Sequence, residues 1–311
     1  MKSVLLILLF PLSCLAQDIS PKQAKKLGKE IIKVIRENSV FKDSLDFENI
    51  ENDFLQHIDT FTTYAKVSHY YMLALHRAGD NHSFYTTGKA LAAYSAKQNQ
   101  DLGFSYRLLD GGIAYLAVPS FLSTDKKVTD SFANSIHNAI RQLDMNNEIK
   151  GWVIDLRSNN GGNMWPMVAG LNPLIGEDII PGYFKTASGD IAAWKLSSMA
   201  KDISIANPYH VKNNTAKIAV LYSNKTASSG EMMAICFTGK SNSRSFGKPT
   251  GGFTTGNRIF YLSDDNIFVL ATSYCLNRDK TVFKTRIQPD VAADDTPGPD
   301  ALASAVEWIR Q

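Results

Sequence analysis

An α/β fold with an N-terminal helical lobe is predicted by three features of the 311-residue sequence. Beyond about Leu102, segments of strand character alternate with segments of helical periodicity, the pattern of an α/β domain. Two of those strand segments, KGWVIDLRS and KIAVLYSN, are unbroken apolar runs that end in polar residues, as strands buried on both faces do. Before Leu102, apolar residues recur at helical spacing instead.

The first residues, MKSVLLILLFPLSCLAQ, combine one Lys, an apolar run from Val4 to Leu12 and small residues at Cys14 and Ala16. They read as a secretory leader over residues 1–16, cleaved after Ala16, which makes the chain exported, periplasmic or secreted. Lipidation at Cys14 is the less favoured alternative, because Pro11 stands three residues before it. The apolar run is too short for a stable membrane-spanning helix, and no later stretch is longer. Residues 17–100 form the expected helical lobe. Ser20-Pro21 opens a helix carrying Leu27, Ile31, Ile32 and Ile35 on one face, followed by FENIENDFLQHI and by YAKVSHYYMLALHRAG.

Residues 101–311 form the expected core. GGIAYLAVPSF is a strand between glycines and Pro119, and DSFANSIHNAIRQL is a helix with Phe132, Ile136, Ala139, Ile140 and Leu143 on one face. GEMMAICFTG is a helix after KIAVLYSN, NRIFYLSDDNIFVLATSYCLN a hairpin around Asp264-Asp265, and DALASAVEWIRQ a closing helix. A net charge of +3 with no Lys/Arg run gives no support to nucleic-acid binding. Cys236 and Cys275 have no metal-site spacing, so no metal or cofactor is expected. They read as buried small hydrophobes in preference to a disulfide.

Sites in open α/β folds gather at the carboxyl ends of buried strands. Two such ends carry chemistry: RSNNGGNMW after VIDL, and NKTASSGE after AVLYS. Gly161-Gly162 suits either a tight strand-to-helix turn or backbone donors aimed at an oxyanion. Ser228-Ser229-Gly230 suits either an N-cap or a nucleophile. His82, in the turn Gly79-Asp80-Asn81-His82, is the candidate base among six histidines, since His69 and His76 fall within a helix.

Taken in order, GDNHSFY, IAYLAVPSF, VIDLRSNNGGN, VLYSNKTASSGE, SFGKPTGGFTTG and IQPDVAADD resemble the tail-specific, C-terminal-processing serine peptidases. Within that family they are most similar to the branch of the tricorn protease core and the retinoid-binding-protein repeats. The resemblance spans residues 70–311 and implies a Clp protease–crotonase core of ββα units. It implies Ser228 as nucleophile, backbone N–H groups of Gly161 or Gly162 and of Ser229 as oxyanion donors, Asp155 and Arg157 as supports of the loop, and a peptide or protein substrate.

The sequence departs from the family in three places. Phe253 stands where the processing peptidases place the Lys of a Ser–Lys dyad, with Lys248 offset, so the resemblance points to a Ser228–His82 pair. No carboxylate lies between Thr281 and Gln288, before the Pro-Asp motif, which leaves Glu231, Asp290, Asp80 or the amide of Gln288 to orient the imidazole. Only about twenty residues separate Phe84 from Phe104, too few for a PDZ domain. Two other functions fit the same core: a non-catalytic binder of a ligand or peptide, and a small-molecule esterase or amidase.

Overall fold

The computed structural model describes residues 18–98, 104–176, 179–195, 202–293 and 300–311. The expected leader and Cys14 lie outside the described residues. In chain order the elements are helices α1 (Pro21–Asn38), α2 (Phe47–Gln56) and α3 (Tyr64–Arg77), strand β1 (Phe84–Thr87), helix α4 (Gly88–Gln98) and strands β2 (Ser105–Leu109) and β3 (Ile113–Ala117). Helix α5 (Lys126–Asn146), β4 (Gly151–Asp155), α6 (Met164–Ile175), β5 (Gly182–Thr186), β6 (Ile191–Ala193) and β7 (Lys217–Tyr222) follow. The chain continues through α7 (Ser229–Phe237), β8 (Ser243–Gly247), β9 (Thr255–Tyr261), β10 (Asn266–Asn277), β11 (Val282–Phe283), β12 (Val291–Ala292) and α8 (Ala301–Arg310).

These elements form two compact units. Of the described residues, one comprises 18–97, Thr186–Ser188 and Asn257–Ser273; the other comprises those within 98–185, 189–256 and 274–311. The sequence places a division at residue 100; by contact, the β9–β10 hairpin groups mostly with the N-terminal helices. The reason is apolar contact. Phe268 and Leu270 are buried in one cluster with Leu27, Ile31, Ile35, Val67 and Tyr71, and Phe260 and Leu262 pack against it. The hairpin turns through Asp264 and Asp265, both at φ near 60°, the two left-handed residues that suit the twist of a two-residue turn. β1 pairs antiparallel with β10, from Phe84↔Val269 to Thr87↔Asn266. Helix α1 begins as its sequence signals: Ser20 accepts from the Gln23 N–H, and Pro21 occupies the first turn.

The larger unit is built on a six-stranded sheet in the order β12-β8-β7-β4-β3-β2. All neighbours run parallel except β2, which returns antiparallel on β3. Successive residues alternate between two cores, as strand geometry dictates. Ala114, Leu116, Trp152, Ile154, Ile218 and Val220 face one core with α5, α6 and α7. Ile113, Tyr115, Val153, Ala219 and Leu221 face the other with α8. Both faces are covered, which explains the unbroken apolar character of β4 and β7. Cys236 and Cys275 are buried and unbridged, as expected of small hydrophobes, and burial pushes the Cys236 thiol up to about 12. Among the described residues, no helix is long and apolar enough to cross a membrane.

Trp152 is 1% exposed at the centre of this packing. Trp152→Ala is expected to lower stability by about 3–5 kcal/mol, read from the shift of the urea midpoint.

Candidate active site

In the larger unit, β4 and β7 pair in parallel register up to Asp155↔Leu221, so the loops leaving them emerge side by side. The first loop is anchored at Asp155. Its carboxylate accepts from the Tyr115 hydroxyl (2.7 Å), the Arg157 N–H (3.0 Å) and the Arg157 guanidinium (2.7 Å). Arg157 also reaches Asp300 at 3.7 Å, at the start of α8. Asn159, fully buried, is the loop's hub. Its amide donates to the carbonyls of Val118 (3.2 Å) and Pro119 (3.1 Å), and its carbonyls accept from the N–H groups of Gly161 (3.0 Å) and Ala227 (3.0 Å).

Gly161 and Gly162 have φ of 113° and 115°, a region that favours glycine. Space demands glycine as well. A Cβ on Gly162 would lie 2.1 Å from the Phe121 carbonyl oxygen, and one on Gly161 would lie 2.7 Å from Ser228 Cβ. The Gly161 N–H is committed to Asn159, which removes Gly161 from the expected oxyanion donors. The Gly162 N–H has no acceptor among the described residues.

The second loop turns from β7 into α7 at Ser228. This residue is half-buried, with φ 53° and ψ −122°. An N-cap serine ordinarily sits in the β region, so capping alone does not require this conformation. The Ser228 N–H donates to Glu231 at 2.9 Å. Ser229 is 4% exposed, and its hydroxyl donates to the Gly162 carbonyl at 2.5 Å. That bond occupies the Ser229 hydroxyl and ties α7 to the glycine loop. The Ser229 N–H lies in the first helical turn and has no acceptor among the described residues. The N–H groups of Gly162 and Ser229, two residues bonded to each other, are therefore uncommitted among the described residues.

Glu231 is fully buried and accepts four hydrogen bonds. They come from the Ser228 N–H, the Thr250 hydroxyl (2.5 Å), the Gly252 N–H (2.8 Å) and the Phe253 N–H (2.7 Å). Burial pushes its carboxyl above the usual range, and the four donors oppose that shift. Phe253 thus contributes its backbone here. Asp290 is not brought to this loop. Its carboxylate is exposed and accepts from the Ser245 N–H (2.8 Å) and hydroxyl (2.7 Å), level with the middle of β7. The Gln288 carbonyl accepts from Tyr222 at 2.8 Å. A separate cavity of about 520 Å³ opens at the ends of β3, β4, β7 and β8, lined by Arg157, Lys225 and Lys248 among others but not by Ser228.

His82 belongs to the other unit, in the turn between α3 and β1. Asp80 builds that turn. It is 1% exposed, and it accepts from the backbone N–H groups of His82 and Ser83 (both 2.9 Å) and from the Ser83 hydroxyl (2.5 Å). These bonds hold the backbone that carries His82. Burial raises the Asp80 carboxyl, against the Ser83 and His82 hydrogen bonds. The His82 carbonyl accepts from Asn257 at 3.0 Å, and the Ser83 hydroxyl accepts from the Ala271 N–H at 2.8 Å, so β9 and β10 brace the same turn. His57, His69, His76 and His210 are exposed. Sequence reasoning missed Asn159 and Thr250, because SNNGG does not distinguish one Asn from the next and a Thr after Pro249 carries no signal of burial. Among the described residues no cluster of His, Cys, Asp and Glu is arranged to hold a metal.

Residues 112–293 match peptidase family S41. The nisin-resistance protein of Lactococcus lactis subsp. lactis is 26% identical over 300 residues, covering 93% of this chain and 88% of that protein. A lipoprotein from Streptococcus agalactiae shares the fold with a TM-score of 0.78 at 24% identity, over 92% of this chain and 96% of its own. The photosystem II D1 C-terminal processing protease does so with a TM-score of 0.62 at 12% identity, over 93% and 97%.

Ser229→Ala removes the tether but no proposed nucleophile. It is expected to cost about 1 kcal/mol of stability in urea denaturation and to leave a serine-reactive phosphonate still bound at Ser228.

Proposed function

The chain belongs to peptidase family S41, and from that premise we propose that it is a serine peptidase working through an acyl-enzyme at Ser228. The observation that carries this reading is the strained Ser228 turn set beside the two uncommitted N–H groups of Gly162 and Ser229. His82 is the proposed base. It takes the proton of the Ser228 hydroxyl as the oxygen attacks the peptide carbonyl carbon. The Gly162 and Ser229 N–H groups receive the oxyanion, with the start of α7 adding the positive end of its dipole. Collapse breaks the C–N bond, and the departing amine takes the proton from His82. Water, deprotonated by His82, then attacks the ester, and Ser228 recovers its proton as the acid product leaves.

Glu231 is assigned as a positioning residue, because it binds the backbone of Ser228 and of the 250–253 loop. No carboxylate is assigned to the imidazole. The substrate is a peptide, and the likeness to a nisin-resistance protein makes nisin the first peptide to test. We place the protein outside the cytoplasm, on the strength of its leader-like first residues and its likeness to a lipoprotein.

A fluorophosphonate probe tests the chemistry. Wild type is expected to be labelled at Ser228, Ser228→Ala not at all, and His82→Ala about 10²–10⁴-fold more slowly. Adduct mapping by mass spectrometry on another residue, or a folded wild type that stays unlabelled, rejects this reading.

A further inference from the structure

The sequence has no contiguous run of cations, but folding of α1 assembles one. Lys22, Lys25, Lys26, Lys29, Lys33 and Arg36 recur at intervals of one to four residues. At 3.6 residues per turn they fall within a single arc of about 100°. Ala24, Leu27, Gly28, Ile31, Ile32 and Ile35 occupy the opposite arc and are buried. The cationic face is therefore turned to solvent, and all six cations are exposed.

Helix α1 holds these six cations and two carboxylates, hence a net +4 where the whole chain nets +3. Neither carboxylate screens the centre of the stripe. Glu30 accepts from the Ser263 N–H (2.9 Å) and hydroxyl (3.0 Å), and Glu37 lies 4.0 Å from Lys33. Arg36 is paired with Glu51. Among the described residues no carboxylate pairs with Lys22, Lys25, Lys26 or Lys29. Like charges three and four residues apart disfavour a helix, so the buried face holds this arrangement against its own repulsion.

We propose that this face of α1 docks on an anionic lipid surface. The stripe is straight, about 21 Å from Lys22 to Arg36 at 1.5 Å per residue, with no apolar or aromatic side chain within its arc. That shape meets a plane of headgroups by charge, without insertion. The inference does not depend on the chemistry proposed for Ser228.

The test uses the chain from Gln17, which keeps every described residue and lacks the apolar run. It is sedimented with phosphatidylcholine vesicles made with or without phosphatidylglycerol. Binding is expected only with phosphatidylglycerol, and high salt is expected to release it. Combining Lys22→Gln, Lys25→Gln, Lys26→Gln and Lys29→Gln is expected to lower the partition coefficient about 10²-fold or more, while the four matching Arg substitutions preserve it. The circular dichroism spectrum and urea midpoint of the Gln variant are expected to match those of wild type within about 0.5 kcal/mol, which reports its folding without reference to Ser228. Binding independent of phosphatidylglycerol, or equal partitioning of the Gln variant, overturns the proposal. Tighter binding to soluble polyphosphate than to vesicles also overturns it, by making a soluble polyanion the partner.

Discussion

A single buried carboxylate organises the turn at Ser228. An ionised Glu231 with no exposed surface would be strongly disfavoured without donors, and the fold supplies three backbone N–H groups and one hydroxyl. One of those N–H groups belongs to Ser228, so the interaction that makes the burial tolerable also holds the serine at its positive φ. Thr250 extends the network. It donates to Glu231, accepts from the Ile287 N–H at 2.8 Å, and its carbonyl accepts from Arg286 at 2.7 Å. The α7 turn, the 250–253 loop and the 286–287 segment are thus held by one network through Glu231 and Thr250.

The sheet supplies the second constraint. Parallel pairing of β4 with β7 places two loop exits next to each other, and close approach then demands small residues where they meet. Gly161 has no room for a Cβ against Ser228, nor Gly162 against Phe121. Gly230 is pressed on the Asn159 carbonyl, 2.3 Å from where a Cβ would be. The backbone of the glycine loop approaches the serine turn because side chains are absent at these points, and Asn159 bonds to both loops.

In the smaller unit, α1 combines two functions on one helix. Its apolar face joins α3 and the β9–β10 hairpin in a common core, and its opposite face gathers the cations. The same hairpin braces the His82 turn through Asn257 and Ala271. A segment late in the chain thereby supports a turn formed early in it.

Local pattern carried much of this in the sequence alone. The unbroken apolar runs of β4 and β7, the amphipathic spacing of α1 and α5, and the Asp264-Asp265 turn each express an element's own geometry, which needs no partner to be read. Helix α6 escaped because it is apolar around most of its circumference, so no face stands out at a period of 3.6. The allegiance of the β9–β10 hairpin escaped because alternation shows that a strand has an inner face but not which core that face meets. The motifs at the two strand ends marked two loops that the fold sets side by side, and the resemblance singled out Ser228. Only the tertiary structure decided that the Gly161 N–H is committed and the Gly162 N–H is not, that the Ser229 hydroxyl is a tether, and that Glu231 rather than Asp290 meets the serine turn. Those distinctions rest on contacts between residues distant in sequence, and composition and spacing do not encode which of two adjacent groups will find the nearer partner.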